Sequence, residues 1–260
     1  MTVFPENPSQ VLLAGDWHGN ETWAKGVIAH AGQRGIPVIV HLGDFGFWVP
    51  GESTEAYLSD VEDACARNGV ILLWVDGNHE CFPSLYDLPV DPSSGVRKIS
   101  DHVFHLPRGF RWTWFGKTWM ALGGAHSVDR LDRIPGRSWW PEEHLTDDEA
   151  AKAIGGGLVD VIVAHDAPDR VAIPGLRPGS FPASEVDAGD EHREKVGKVV
   201  DATRPSVLFH GHYHVRYEAR RSLPGHASTA VIGLADDGSS RVLSDNAVVL
   251  SLDPALIRSA

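Results

Sequence analysis

The hexapeptide Gly15-Asp16-Trp17-His18-Gly19-Asn20 follows an apolar run, Val11 to Ala14, that predicts a buried strand. Its two glycines let the backbone turn sharply where that strand ends. Asp16 and His18 are two positions apart, so an extended backbone presents both side chains on one side. A carboxylate and an imidazole presented together are typical metal ligands. A lone Asp-x-His pair is more often a turn or capping feature, so the rest of the chain has to decide.

Composition indicates an ordinary globular chain. The 260 residues are 42% hydrophobic and 22% charged, and we expect residues 1–260 to form one domain. A formal net charge of −12 argues against binding of duplex nucleic acid or an anionic membrane. Two cysteines, no signal-peptide pattern and no apolar run near the roughly 20 residues that span a bilayer favour a cytoplasmic location.

An alternation of strands and helices continues from the hexapeptide. Helical spacing covers residues 21–33 and 54–68, and apolar strand patterns cover 38–42 and 70–75. This alternation predicts a mostly parallel sheet with helices on its faces. Ligands gather at the carboxyl ends of such strands, where Gly43-Asp44 and Gly77-Asn78-His79-Glu80 stand here.

The second half of the chain begins with a change of pattern. Antiparallel strands are predicted over 103–106, 110–115 and 118–122, with Gly116-Lys117 as a hairpin turn. A long irregular loop over 125–141 follows, and Thr146 is the expected N-cap of a helix that ends at residue 154. The remaining pattern predicts strands over 159–164, 206–209, 230–234 and 247–252, and a helix over 184–202.

Metal-type side chains follow five of the predicted strands. One such residue at a strand end is common by chance, but the same placement after five strands is not. These residues are Asp16 and His18, Asp44, Asn78 and His79, His165, and His212 and His214.

In order and spacing, these blocks resemble the motifs of the calcineurin-like metallophosphoesterases, above all the compact bacterial and phage-encoded members. The resemblance spans residues 15–214. It implies an α/β fold, a four-layer αββα sandwich of two mixed β-sheets with flanking helices. It also implies a dinuclear metal site at the carboxyl edge of the strands. The matching blocks are Gly15 to Gly19, Gly43-Asp44, Gly77 to Glu80, His165 and Gly211 to His214.

The resemblance further implies a part for each ligand residue. Asp44 would bridge two divalent metal ions, manganese by first expectation, with iron, zinc or nickel as alternatives. A metal-bridging hydroxide would attack phosphorus, and two ions about 3.5–4 Å apart would stabilise the charge that develops. The first ion would be held by Asp16, His18 and His214, and the second by Asn78, His165 and His212.

Three neighbours of these ligands receive supporting parts. Together with Asp44, His79 is the expected catalytic residue, either protonating the leaving group or holding a phosphate oxygen. Glu80 is expected to orient a histidine, most plausibly His79, and His210 to support the ligand pair that follows it. Asp44 is followed by Phe45-Gly46-Phe47-Trp48, without the Asp-Arg-Gly that continues this motif in the protein Ser/Thr phosphatases of the superfamily. Their phosphate-gripping Arg is therefore absent, which disfavours a phosphoprotein substrate.

Residues 97–140 contain eight basic and three acidic side chains, a local excess of positive charge in an acidic chain. Arg offers forked donors to phosphate, and Trp offers a face for stacking a base. The alternative is that the arginines form a solvated face and the tryptophans pack in the core, as we expect for Trp112, Trp114 and Trp119. The candidate substrate residues are Arg130, Arg133, Arg137, Trp139, Trp140 and His126.

The other histidines receive ordinary expectations. His41 is expected to be a hydrogen-bonded core residue. Surface or loop positions are expected for His30, His102, His105, His144, His192 and His226.

The leading functional hypothesis is a metal-dependent phosphoesterase that acts on a small phosphodiester such as a cyclic nucleotide. A phosphomonoesterase acting on nucleotides or phosphoproteins is the first alternative. The acidic balance disfavours a DNA nuclease, and the full set of ligand residues disfavours a scaffold without catalysis. The sequence leaves the oligomeric state open.

Overall fold

The computed structural model describes residues 5–176, 179–225, 227–238 and 242–252, and its frame is a pair of six-stranded mixed sheets. The first sheet contains, in spatial order, β12 (Ala247–Ser251), β1 (Gln10–Ala14), β2 (Val38–His41), β3 (Ile71–Trp74), β5 (Val103–His105) and β4 (Arg97–Lys98). The second contains β10 (Tyr217–Ser222), β11 (Ser228–Gly233), β9 (Val207–His210), β8 (Val161–Ala164), β7 (Lys117–Leu122) and β6 (Arg111–Trp114).

Six helices accompany the sheets in the described part of the chain. Two single 3₁₀ turns, Arg130–Asp132 and Pro141–Glu143, interrupt the long loop that the sequence predicted. The helices are α1 (Glu21–Gln33), α2 (Glu52–Asn68), α3 (Phe82–Asp87), α4 (Asp147–Gly155), α5 (Ala183–Thr203) and α6 (Leu243–Asn246). No helix among these residues is both long enough and apolar enough to cross a bilayer.

Three buried clusters separate four layers. Successive side chains of strand β1 point to opposite faces of the sheet, so that Leu12 packs under α1 and α2 while Leu13 faces the second sheet. Between the sheets, Trp112, Trp114 and Trp119 pack against one another, which confirms that they are core residues. A third cluster joins the outer face of the second sheet to α4 and α5. The predicted αββα sandwich is therefore confirmed.

The central strands of both sheets run parallel. In the first sheet β1, β2 and β3 are parallel neighbours, and in the second sheet β7, β8, β9 and β11 are. Their carboxyl ends meet at one edge, where the carbonyl of Leu42 after β2 accepts from His165 after β8. The two sheets therefore present their strand-end loops to a single site.

Three local features differ from the sequence prediction. Strand β5, predicted in one antiparallel group with β6 and β7, lies in the first sheet, where it is parallel to β3 and antiparallel to β4. The β6–β7 hairpin turns at Phe115-Gly116, one residue earlier than expected, with φ angles of 47° and 71° that suit a mirror-image two-residue turn. The sequence analysis also missed β10, because this edge strand reads Tyr-Glu-Ala-Arg-Arg-Ser. Its inward position at Arg221 holds a fully buried guanidinium paired with Asp169 and Asp201, which breaks the apolar alternation.

Candidate metal centre

Four of the candidate ligands have backbones in the left-handed region. The φ angles are 44° at His18, 52° at Asp44, 69° at His212 and 54° at His214. Residues other than glycine seldom adopt this conformation, and where they do it often marks a functional site. Hydrogen bonds between the turns stabilise this conformation, since the carbonyl of Asp44 accepts from the N–H groups of Trp17 and His18 at 3.1 and 2.9 Å.

Asp44 lies at the centre of the ligand cluster. Its Oδ2 is 3.4 Å from Nε2 of His18, and its Oδ1 is 3.5 Å from Nε2 of His165. Asp16 and His214 approach from the first side, with Oδ2 and Nε2 3.3 Å apart. The two oxygens of one buried carboxylate therefore face two different groups of ligands.

Asn78 and His212 complete the second group. The Oδ1 of Asn78 lies 3.0 Å from Nε2 of His165, and the ring of His212 lies 5.1 Å from that of His165, measured between centroids. The backbone N–H of His212 points at both carboxylate oxygens of Asp16 at 3.1 Å. The structure thus brings together all seven side chains that the sequence singled out as metal ligands.

The glycines beside the ligands leave room for close approach. A Cβ on Gly77 would overlap the carboxylate and backbone nitrogen of Asp44, and a Cβ on Gly211 would overlap the carboxylate of Asp16. Any other residue at these positions would push the ligand turns apart.

Three imidazoles turn Nε2 toward the other ligand residues and Nδ1 toward a group on the far side. The carbonyl of Leu42 can only accept, so Nδ1–H of His165 donates to it at 2.7 Å. Nδ1 of His18 lies 3.1 Å from Asp237, and Nδ1 of His214 lies 3.5 Å from Asp236. Carboxylates and carbonyls behind metal-binding histidines commonly set their tautomer in this way.

Sequence reasoning missed Asp236 and Asp237. The signal was present, because this pair follows β11 just as the other ligand residues follow their strands. The strand prediction ended on Leu234, and we did not extend the strand-end rule to the acidic residues beyond it.

The electrostatics of the cluster favour bound cations. Burial opposes ionisation of Asp44, but the neighbouring imidazoles, His79 and His165 foremost, hold its pKa well below the usual value. Burial likewise opposes the charged form of His18 and His165, yet carboxylate partners raise the pKa of these imidazoles to about 11 and about 10. Carboxylate, imidazole and amide donors in this arrangement fit divalent metal ions, which would take the place of those protons.

The comparisons with known proteins identify the family. The family model of the calcineurin-like phosphoesterases matches residues 9–216. The chain belongs to the calcineurin-like phosphoesterase family. Membership implies metal-dependent hydrolysis of phosphate esters.

Solved structures support the fold at low sequence identity. The crystal structure of TT1561 of Thermus thermophilus is 10% identical with a TM-score of 0.53, covering 95% of this chain and 100% of its own. A second structure gives 11% identity and the same TM-score and coverage. No curated protein matches this phosphoesterase.

Glu80 and His210 both lie beside the ligands, but Glu80 makes contacts other than those expected. The buried carboxylate of Glu80 accepts from the N–H groups of Phe45 and Phe47 at 2.8 and 2.9 Å, instead of orienting His79. It thereby clamps the turn that carries Asp44. His210 bonds to the hydroxyl of Tyr217 at 2.7 Å and to the carbonyl of Gly211 at 2.8 Å, so it braces the turn before the ligand pair.

Several other histidines are placed differently from the expectation. His41 is fully buried, but both ring nitrogens lack a hydrogen-bond partner, and its ring packs on Trp17 and Phe45. His105 and His192 are buried rather than exposed, and they bond to Asp76 and Asp166. His226 lies outside the described residues.

A cavity of about 200 Å³ opens beside His79, with Arg133, Arg137 and Trp140 of the long loop in its wall. The Nη2 of Arg133 lies 2.6 Å from Nε2 of His79, and the same guanidinium is fixed by Asp129 at 2.8 and 2.9 Å. Three of the six candidate substrate residues therefore line the cavity beside the predicted catalytic histidine, and one of them, Arg133, contacts it.

Trp48 also lines this cavity. The outer edge of its ring lies against the hexapeptide turn, so that a Cβ on Gly19 would overlap it. The sequence pattern predicts no part in the site for Trp48. Its place in the site depends on how the Asp44 turn folds back, which strand patterns do not reveal.

The other three candidate residues do not reach the cavity. The guanidinium of Arg130 forms two 2.8 Å hydrogen bonds with the carboxylate of Glu185 and lies over the ring of Trp139. His126 is buried in a separate cluster with His144. The excess of basic residues over 97–140 does not form one substrate-binding surface. Arg108 pairs with buried Asp76, and Arg111 binds carbonyls at the end of α4.

Proposed function

We propose that this phosphoesterase hydrolyses a small phosphodiester that carries an aromatic group, such as a cyclic nucleotide. The observation that carries the proposal is the cavity beside His79, which combines two guanidinium groups with two tryptophans. Arginine pairs with phosphate oxygens through forked donors, and indole faces stack on bases. A substrate with both chemical characters would use both walls.

We assign Asp16, His18 and His214 to one divalent ion, and Asn78, His165 and His212 to a second, with Asp44 between them. The opposite faces of the Asp44 carboxylate support this division. When bound, such ions supply Lewis acidity and lower the pKa of water. Manganese is our first choice, and iron, zinc and nickel accept the same donors.

His79 and Arg133 are assigned to the phosphate. Burial lowers the pKa of His79, and the charge of Arg133 lowers it further, against the attraction of Asp44. Of the two roles predicted for His79, a neutral imidazole suits holding a phosphate oxygen better than protonating the leaving group. Asp129 orients Arg133 for the same contact.

The tryptophans are assigned to the group that esterifies the phosphate. Trp140 is nearly buried, whereas 38% of Trp48 is exposed at the mouth of the cavity. A wider groove of about 530 Å³ begins at Trp48 and continues past Ile134 and Arg137. The narrow part admits a phosphate with its nearest substituent, and the groove accommodates the remainder.

A phosphomonoesterase is the second candidate, and one observation favours it. The segment after Asp44 lacks the Asp-Arg-Gly of the protein Ser/Thr phosphatases, and with it their phosphate-gripping Arg. Arg133 supplies a guanidinium beside His79 from a different part of the chain. The guanidinium of Arg133 would balance the second negative charge of a phosphate dianion.

The remaining proposals concern the setting of the enzyme. Cys65 and Cys81 are both buried and unpaired, which supports a reducing compartment such as the cytoplasm. We also propose that residues 1–260 form one domain, since the core between the sheets joins residues from Val11 to Leu234.

A substrate panel tests the proposal on protein reconstituted with manganese. It contains bis(p-nitrophenyl) phosphate, p-nitrophenyl phosphate, cyclic nucleotides and a phosphopeptide. We expect diester turnover that falls at least about 100-fold in Asn78→Ala and His79→Ala, roughly the loss of one strong transition-state contact. Arg133→Lys should raise KM more than Arg67→Lys, a matched change on an exposed face of α2.

The panel also separates the alternatives. Brisk monoester hydrolysis without diester turnover would replace the first candidate by the second. Diester turnover that is unchanged in His79→Ala would remove His79 and its cavity from the proposal.

A further inference from the structure

A second cluster of metal-type side chains lies behind the candidate metal centre. His126 follows β7, and Glu143 and His144 come from the end of the long loop. Nδ1 of His126 is 2.7 Å from Nε2 of His144, and Oε1 of Glu143 lies 3.8 and 3.5 Å from these two nitrogens. Two imidazole nitrogens and one carboxylate oxygen therefore converge on one point.

Two of the three ligand residues have polar groups on their far sides. Nε2 of His126 lies 3.2 Å from the carboxylate of Glu185, which Arg130 binds through two hydrogen bonds. A proton on Nε2 leaves Nδ1 bare and directed at the cluster. The carboxylate of Glu143 accepts from the N–H and the hydroxyl of Ser127. Such backing is typical of metal sites, where outer partners set tautomer and orientation.

Burial makes a cation the natural partner of this cluster. Glu143 is fully buried and His126 is 2% exposed, so their polar groups cannot rely on bulk water. The guanidinium of Arg130 is occupied by Glu185, so it does not neutralise Glu143. His144, with 37% of its side chain exposed, leaves a route from solvent.

We propose that His126, Glu143 and His144 bind a further divalent cation, for which zinc is the best match. Two imidazoles, one carboxylate and a water molecule form a common four-coordinate zinc set. The site is distinct from the dinuclear centre and shares no ligand with it.

The spacing of the three atoms fits this assignment after a small movement. Ligand atoms about 2.1 Å from a tetrahedral zinc lie about 3.4 Å from one another. The distance of 3.5 Å from Glu143 to His144 already matches, whereas that of 3.8 Å from Glu143 to His126 is about 0.4 Å too long. The His144 ring has to move back by about 0.7 Å from His126 to meet the tetrahedral spacing. In the absence of a cation, Nε2–H of His144 donates to Nδ1 of His126. On binding, that proton moves to the other nitrogen of His144.

The site is linked to the candidate catalytic ligands by one chain of hydrogen bonds. The amide nitrogen of Asn78 donates to the hydroxyl of Ser127 at 3.0 Å, and that hydroxyl donates to Glu143. This chain fixes which end of the Asn78 amide faces His165. Glu143 and Ser127 are therefore positioning residues, and a cation on Glu143 would stiffen them.

Zinc content tests the inference. The protein is loaded with excess zinc sulfate, desalted, and analysed by elemental mass spectrometry. We expect His144→Ala to contain about one zinc ion per chain fewer than the wild type. His102→Ala is the matched control, because it also removes a partly exposed imidazole paired with a glutamate, and it should keep the wild-type content. Equal zinc content in His144→Ala and wild type would overturn the proposal.

A second comparison separates this site from the proposed catalytic centre. In the His18→Ala/His165→Ala background, which removes ligands of both catalytic ions, we expect about one zinc ion per chain to remain. Adding His144→Ala should remove it, whether or not any substrate of the panel is hydrolysed. Retention of that zinc in the triple variant would show that it binds elsewhere and would exclude the site.

Discussion

At the scale of single residues, the geometry of the site depends on two glycines, which have no Cβ atom. Gly77 lies against Asp44, and Gly211 lies against Asp16, so two ligand carboxylates occupy the space that a Cβ would need. The glycines that the sequence analysis regarded as turn formers are therefore also part of the ligand geometry. Sequence patterns identify the turn, but only the packed structure shows which atom occupies the space.

Gly77→Ala tests this reading. The added methyl group would overlap the Asp44 carboxylate and backbone, so we expect the Asn78 turn to move and metal content to fall below half of the wild-type value. Turnover of the substrate found in the panel should fall at least about 100-fold, because ångström-scale displacement of reacting groups has effects of that size.

Gly26→Ala is the control for Gly77→Ala. Gly26 lies in α1, and a methyl group added there would meet no neighbouring atom within 4 Å, so alanine should leave turnover unchanged and raise stability by about 0.5–1 kcal/mol. Normal metal content and turnover in Gly77→Ala would contradict the close-approach argument.

At the scale of elements, prediction succeeds where local chemistry decides. Helix α1 matches the predicted residues 21–33, and α4 starts after Thr146 with the expected capping box to Glu149. Strand β10 was not predicted, because its inward-facing position holds an arginine whose charge is neutralised by aspartates that are distant in sequence. Such compensation by tertiary contacts is invisible to a hydrophobic pattern.

The start of α4 has a measurable contribution. The hydroxyl of Thr146 accepts from the N–H of Glu149 at 3.2 Å, and the Glu149 carboxylate accepts from the N–H of Thr146. Thr146→Ala should lower the free energy of unfolding by about 1 kcal/mol. The measurement is urea denaturation followed by circular dichroism.

Thr146→Ser keeps the capping oxygen and should remain within about 0.5 kcal/mol of the wild type. Equal loss of stability in the Ser and Ala variants would mean that the methyl group, and not the cap, accounts for the effect.

At the scale of the whole molecule, the candidate centre joins the two sheets. Asp16, Asp44 and Asn78 follow strands of the first sheet, while His165, His212 and His214 follow strands of the second. Cations bound by both groups would hold the sheets together at this edge. Since an ion that binds only the folded state stabilises it by mass action, metal should raise the melting temperature.

The sign of the pH dependence follows from the two raised histidine pKa values. In metal-free protein His18 and His165, with pKa values of about 11 and about 10, carry protons at pH 7 that metal must displace. Affinity for manganese should therefore rise with pH between 6 and 9, by about tenfold per pH unit for each proton displaced. Calorimetry in buffers of different ionisation enthalpy measures the proton release directly.

Chelation supplies the complementary measurement. Treatment with a chelator should lower the melting temperature more at pH 8 than at pH 6. A manganese affinity that is flat across this range would mean that His18 and His165 are already deprotonated in the metal-free protein.

The sequence by itself determined most element boundaries to within a few residues and the strand-end placement of the seven side chains proposed as metal ligands, whereas the αββα layering followed from the family resemblance. The reason is physical: apolar periodicity defines strands and helices, and parallel strands bring their carboxyl ends to one edge. Only the tertiary structure decided which residues surround that site. The carboxylate of Glu80 binds the loop that carries Asp44, Arg130 pairs with Glu185, and Arg133 contacts His79. These contacts form when loops fold against elements that are distant in sequence, so no local sequence pattern predicts them.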